Sequence, residues 1–162
     1  MIKGLYEAHL PVSNLEKAIA FYENLGLTLA WRSEKTVFLW VEKDKSWLGL
    51  WEGKEVQTPY HPSLRHIAFR IDYEDMKNAT SWLKSIGATP RPFADGMSAE
   101  PFVRPYQGHA CVYFDDPDGN SLELMSFIEV PEQLKTIEKK LLLEEWEALL
   151  NGVSTTMKDA RK

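Results

Sequence analysis

A single cysteine, Cys111, stands in a chain of 162 residues, so no disulfide can form within it. Its place in an apolar run reads as a packed thiol rather than a nucleophile. No stretch approaches the roughly 20 apolar residues of a membrane-spanning helix, and Met1 to Glu7 lacks the apolar run of a signal peptide. The expectation is a cytoplasmic protein with no membrane partner. A basic excess is missing too: 19 Lys and Arg face 24 Asp and Glu, a net charge of −5. That balance argues against nucleic acid, whose phosphates draw on clustered cations. What is present, 44% hydrophobic and 27% charged residues, suits one globular core or two fused half-domains.

Residues 13–26 predict a helix. Ser13 and Glu16 offer a capping box, Leu15, Ala18, Ile19, Tyr22 and Leu25 recur at helical spacing, and Gly26 supplies a left-handed stop. A strand containing His9 precedes it, and strand-like runs follow near Leu27–Trp31, Thr36–Val41 and Trp47–Trp51, which makes a βαβββ unit. Residues 54–63 read as a linker. The pattern then restarts with a strand over Leu64–Ile71 and a helix capped by Asp72, striped by Met76, Ala79, Thr80, Leu83 and Ile86 and stopped by Gly87. Its four extra residues amount to about one helical turn, so the buried face is preserved. Between Ala88 and Gly108 the chain has four prolines and a strand signal only near Arg91–Phe93. There Phe93, Met97, Phe102 and Tyr106 either roof an apolar pocket or pack on the sheet. Asp116-Pro117-Asp118-Gly119 then turns one strand into the next.

The fold class expected is α+β, a single domain over 1–130 built from units 2–53 and 64–128. A helix over 131–152 and a flexible tail over 153–162 follow. The helix carries a broad stripe of Leu134, Ile137, Leu141, Leu142, Trp146, Leu149 and Leu150. It buries that stripe on its own domain or on a second subunit, and the second option makes a homodimer an expectation.

Alternation along the strands singles out three polar residues. Glu123 stands opposite Leu122 and Leu124, His9 opposite Ala8 and Leu10, and His66 opposite Ile67 and Phe69, each on the side away from the helices. Glu7 shares the face of His9 and reads as a rim carboxylate, with a base as the alternative; Tyr113 is a further acid–base candidate.

Two βαβββ units, a His at the start of each, and the run Tyr113-Phe114-Asp115-Asp116-Pro117-Asp118-Gly119-Asn120-Ser121-Leu122-Glu123-Leu124 resemble the vicinal oxygen chelate superfamily. That family includes glyoxalase I, fosfomycin resistance enzymes, extradiol dioxygenases and bleomycin resistance proteins, and the resemblance runs from about Ile2 to Phe127. It implies curved mixed sheets around a cup, a small-molecule substrate, and a divalent ion (Mn, Fe, Ni or Zn) held by His9, His66 and Glu123. The fourth ligand of glyoxalase I falls where this chain has Leu48-Gly49-Leu50, none of which can bind a metal. Two imidazoles and one carboxylate leave positions open for two substrate oxygens. The activity implied is a glyoxalase-like lyase or isomerase acting on a small oxygenated substrate.

Three alternatives stand beside it. Val112–Glu123 is similar to part of the extradiol dioxygenase signature, but Arg104, Pro105 and Tyr106 stand where that signature has its acid–base His. Val12–Glu16 and His61–Phe69 are similar to the fosfomycin thiol transferases, which bind phosphonate with cations. Ser126–Gln133 holds no Arg or Lys; Arg91 and Arg104 either substitute for that cation or are surface charges of the loop. A drug-binding protein without chemistry is the third alternative, and the three ligand residues speak against it.

Overall fold

The computed structural model describes residues 5–54 and 65–159. Nearly all of the expected linker, and Leu64 at the expected start of the next strand, lie outside those residues. The chain divides into two compact units, Met1–Ile67 with Asp115–Leu122, and Ala68–Phe114 with Glu123–Lys162.

The first unit carries β1 (Glu7–Val12), α1 (Leu15–Asn24), β2 (Thr28–Arg32), β3 (Thr36–Glu42) and β4 (Ser46–Glu52). The strands form one mixed sheet in the order β1-β4-β3-β2, with β1 parallel to β4. Leu10, Val12, Val37, Leu39, Leu48 and Leu50 are buried on one face, as are Leu15, Ala18 and Tyr22 of α1. The cap of α1 differs from the expectation: Asn14, in extended geometry at φ −150°, accepts the Lys17 N–H at 2.9 Å. The Glu16 carboxylate pairs instead with Arg32 of β2, which removes the second half of a capping box.

The sequence continues through β5 (His66–Arg70), α2 (Tyr73–Met76), α3 (Ala79–Ser85), β6 (Pro90–Arg91), β7 (Phe102–Arg104), β8 (His109–Asp115) and β9 (Ser121–Phe127). It ends with β10 (Leu141–Leu142) and α4 (Leu143–Asp159). The second sheet has the order β10-β7-β8-β9-β5, with β6 also paired to β8. One helix was expected after Asp72; two short ones form, because Asn78 at φ −108°, ψ 2° leaves helical geometry and stands just before α3, without a side-chain capping bond. The stripe survives the break, since Met76, Ala79, Thr80 and Leu83 are buried. Gly26 and Gly87 take φ of 94° and 81°, the left-handed stops expected of them.

The stretch between Ala88 and Gly108 also yields a strand, β7, which a loop reading misses. Phe102 and Val103 are buried, and β7 is flanked by β8 and β10. At the C-terminal end the helix begins later than residue 131. Glu132–Leu134 form a 3-10 turn and Leu141–Leu142 extend the sheet; the Glu145 carboxylate then accepts the Leu142 N–H at 2.8 Å. Leu134, Leu141 and Trp146 of the stripe are buried within the chain, whereas Leu142 and Leu149 remain exposed.

A buried polar network fixes the tip of the β8–β9 connection. Tyr22 donates to Asp116 Oδ2 at 2.9 Å, and Asn120 Nδ2 donates to the same oxygen at 2.5 Å. The backbone N–H groups of Asp118 and Asn120 bind Oδ1 at 2.9 and 2.8 Å. Burial pushes the Asp116 carboxyl upward against these hydrogen bonds. Asp116→Ala strands the Tyr22 hydroxyl and removes one of the two acceptors of the Asn120 side-chain amide, which also donates to the Pro11 carbonyl at 3.1 Å. A loss of about 3 kcal/mol is expected in chemical denaturation; a loss below about 1 kcal/mol would mean the network rearranges around the gap.

Candidate metal centre

In the first unit the face of the sheet opposite α1 is aromatic. Parallel pairing sets Glu7 beside Trp47 and His9 beside Gly49, and antiparallel pairing sets Phe38 beside Gly49. Trp31, Phe38, Trp40, Trp47 and Trp51 therefore surround two polar groups, with ring centroids 4.9–5.7 Å apart along the row. The Trp51 indole donates to His9 Nδ1 at 2.5 Å. An indole only donates, so Nδ1 is the acceptor and the ring proton sits on Nε2, which donates to Glu7 Oε1 at 2.7 Å. Trp47 donates to Glu7 Oε2 at 2.5 Å. The His9 and Trp47 hydrogen bonds hold the Glu7 carboxyl below its ordinary pKa, in that order of effect.

Gly49 has a steric reason to be glycine. A Cβ there would lie 2.5 Å from His9 Nδ1 and 2.8 Å from its Cε1. Gly49→Ala is expected to displace the His9 ring at a cost of about 1–3 kcal/mol. Imidazole NMR resonances of His9 unchanged from wild type would contradict that account.

His66, at the start of β5, also belongs to the first unit. Its Nδ1 lies 3.2 Å from the Ser121 carbonyl oxygen. It lies equally close, 3.2 Å, to the Ser121 hydroxyl, which either donates or accepts; with the proton on Nδ1 and shared with the carbonyl, Nε2 would carry the lone pair that a metal-binding imidazole needs. The neighbouring Arg65 is buried and bound to Asn120, the Pro11 carbonyl and the Asp118 carbonyl, which anchors the start of β5. The signal for Arg65 was slight: a charged residue ahead of a strand normally reads as exposed.

In the second unit Glu123 is 5% exposed. The donor atoms of Glu123, His109 and Cys111 lie within 4.8 Å of one another, a possible nitrogen, sulfur and oxygen ligand set. Neither His9 nor His66 is in that group. Cys111 and Tyr113 both hydrogen-bond to Glu123, and burial is the main cause that raises both of their pKa values far above the ordinary range. The thiol and the phenol are therefore protonated donors near neutral pH. Burial lowers the pKa of His109, with a smaller contribution from Arg104.

Arg104 completes this face. It donates to the Tyr113 hydroxyl at 3.4 Å, and its guanidinium carbon lies 4.5 Å from the Phe93 ring centroid and 5.4 Å from that of Phe102. Lys140 stands 4.7 Å from the same Phe93 ring. The Arg104 Nε is buried with no hydrogen-bond partner, and among the described residues no carboxylate pairs with this guanidinium. Phe93 and Phe102 were expected as a roof or as packing; the structure shows them packing against Tyr113 and Arg104.

The sequence profile of the Glyoxalase/Bleomycin resistance protein/Dioxygenase superfamily matches residues 4–124. A metallothiol transferase, FosB of Staphylococcus haemolyticus, is 32% identical over 126 residues, covering 76% of this chain and 84% of that protein. Among solved structures, an integron cassette protein from the mobile metagenome of a Halifax Harbour sewage outfall is 29% identical with a TM-score of 0.62, covering 78% of this chain and 100% of that one. The fosfomycin resistance protein FosX of Listeria monocytogenes, crystallised with Mn(II) and sulfate, is 26% identical with a TM-score of 0.59, covering 83% and 96%.

Proposed function

The chain belongs to the Glyoxalase/Bleomycin resistance protein/Dioxygenase superfamily, and we propose that it is a metal-dependent enzyme acting on a small oxygenated substrate that bears an anionic group. The reaction favoured is fosfomycin-type addition of a thiol to an epoxide. The observation that carries the anionic part is Arg104, a guanidinium without a carboxylate partner, close enough to Tyr113, Cys111 and His109 to act on their charges. It supplies the cation that Ser126–Gln133 lacks. Similarity to a metallothiol transferase and to a structure holding Mn(II) and sulfate supports the same reading.

The sequence resemblance implies His9, His66 and Glu123 as the donors for a divalent ion, and within the first unit Glu7 lies beside His9 on the same sheet face. The bound cation would supply charge to hold substrate oxygens and stabilise a departing alkoxide. Cys111 is buried and protonated, so the nucleophile comes from a second solute, a low-molecular-weight thiol. Its sulfur gives up its proton and forms a bond to one epoxide carbon while the C–O bond breaks, and the released oxygen takes up a proton, so that thiol and epoxide give a hydroxy thioether with no net gain or loss of protons. Arg104 and the Tyr113 hydroxyl orient the anionic end.

A glyoxalase-like isomerase is the second reading. It is disfavoured at Gly49, because the position of the fourth ligand is filled by the His9 ring. Protein supplied in turn with Mn(II), Mg(II), Ni(II) and Zn(II) is to be assayed on fosfomycin with cysteine or glutathione, and on the methylglyoxal–glutathione hemithioacetal. Chelator-sensitive loss of the epoxide is expected. Turnover of the hemithioacetal alone would move the assignment to the isomerase, and turnover of neither would favour a binding protein.

A further inference from the structure

We infer that Glu7, and not His9, is the metal ligand contributed by the first βαβββ unit, with His9 and Trp47 acting as its positioning residues. The inference rests on the metal-dependent reading above and changes one of its donors. Its main support is the state of the His9 ring. Nδ1 has its lone pair engaged by the Trp51 indole at 2.5 Å, and Nε2 carries the proton that Glu7 Oε1 accepts at 2.7 Å. Neither nitrogen presents a lone pair to an ion unless one of these bonds breaks. The ring is further confined by Phe38, whose centroid lies 5.7 Å away edge-on, and by Gly49, where even one added carbon would collide with it. The His9 ring is exposed, yet both of its nitrogens are engaged by partners on its own sheet.

Glu7 stands in the opposite situation. Each of its oxygens accepts one hydrogen bond from a donor on its own sheet, Oε1 from His9 and Oε2 from Trp47. A carboxylate oxygen has two lone pairs, so each can bind a cation without losing its present partner. A carboxylate held by an imidazole N–H and an indole N–H is also oriented before an ion arrives, the usual arrangement of a ligand with its supporting hydrogen bonds.

The internal repeat gives the same answer independently. Glu7 is the first residue of β1, and the strand runs five residues on to Val12 before the polar turn into α1. His66 is the first residue of β5, and five residues on stands Ile71, before Asp72, the cap of the next helix. Counted from the first residue of each strand, the counterpart of His66 in the first unit is Glu7, while His9 corresponds to Ala68. With Glu7 in place of His9, the donors that the sequence resemblance implies become two carboxylates and one imidazole. Two anionic oxygens balance the charge of a dication and favour oxygen-seeking Mn(II), Mg(II) or Fe(II) over Zn(II).

The test is three-pulse electron spin echo envelope modulation of the Mn(II)-loaded wild-type chain, which reports directly coordinated imidazole nitrogen. One imidazole is expected, retained in His9→Gln and lost in His66→Gln, with Glu7→Gln weakening Mn(II) at least about 30-fold. The wild-type spectrum alone decides the ligand count, so the result does not depend on whether a variant folds. Two imidazoles in the wild type, or loss of nitrogen modulation in His9→Gln, would overturn this inference and leave the metal-dependent reading standing. Absence of saturable Mn(II) binding by the wild type would overturn that reading, and this inference with it.

Discussion

Glu123→Gln is expected to weaken divalent-ion affinity by about 100-fold or more and to reduce turnover in proportion to occupancy. Loss of a group that merely supports a ligand costs about 10- to 100-fold, and removing a ligand's negative charge costs at least as much. The substitution keeps the side-chain shape, and the amide oxygen can still accept from Cys111 or Tyr113, both of which bond to Glu123. Thermal stability should therefore change little while metal binding collapses. A titration showing unchanged affinity together with normal folding would remove Glu123 from the ligand set.

Arg104→Ala should raise KM for an anionic substrate about 10- to 100-fold while leaving kcat within a few-fold. A hydrogen bond to a charged group contributes about 1.5–3 kcal/mol, and a contact made equally in ground and transition states appears in KM. Arg104→Lys should recover part of the loss, because a lysine supplies the charge without the planar fork. The guanidinium also covers Phe93 and Phe102, so a small fall in stability accompanies the alanine change. If KM for the phosphonate and for a neutral analogue moved together, Arg104 would be a packing residue and no part of an anion site.

Much of the frame is legible in the sequence because the signals are local. Gly26 and Gly87 end helices through positive φ, and the stripe of Met76, Ala79, Thr80 and Leu83 marks a buried face even though Asn78 divides the helix. Period-two alternation places Glu7 and His9 opposite the core of β1. What it does not reveal is their relation to each other, which depends on the parallel pairing of β1 with β4 and on indole donors 40 and 42 residues away. The alternation Trp47-Leu48-Gly49-Leu50-Trp51 carries that information once the pairing is known.

Other features needed contacts that no short window contains. β7 is three residues between two prolines, and it is a strand because β8 and β10 flank it. Leu141 and Leu142 fit a helical stripe equally well and join the sheet only because β7 offers an edge. Arg104 reads from sequence as a surface loop charge. Its position over Phe93 and Phe102 and against Tyr113 follows from β7 pairing with β8, where it stands opposite His109.

The most direct measurement is a Mn(II) titration of protein purified without chelator, followed by the electron paramagnetic resonance signal of free Mn(II). The account predicts saturable uptake of about one ion per chain, reversed by chelator and lost in both His66→Gln and Glu123→Gln. No saturable uptake, or uptake indifferent to both substitutions in folded protein, would contradict it.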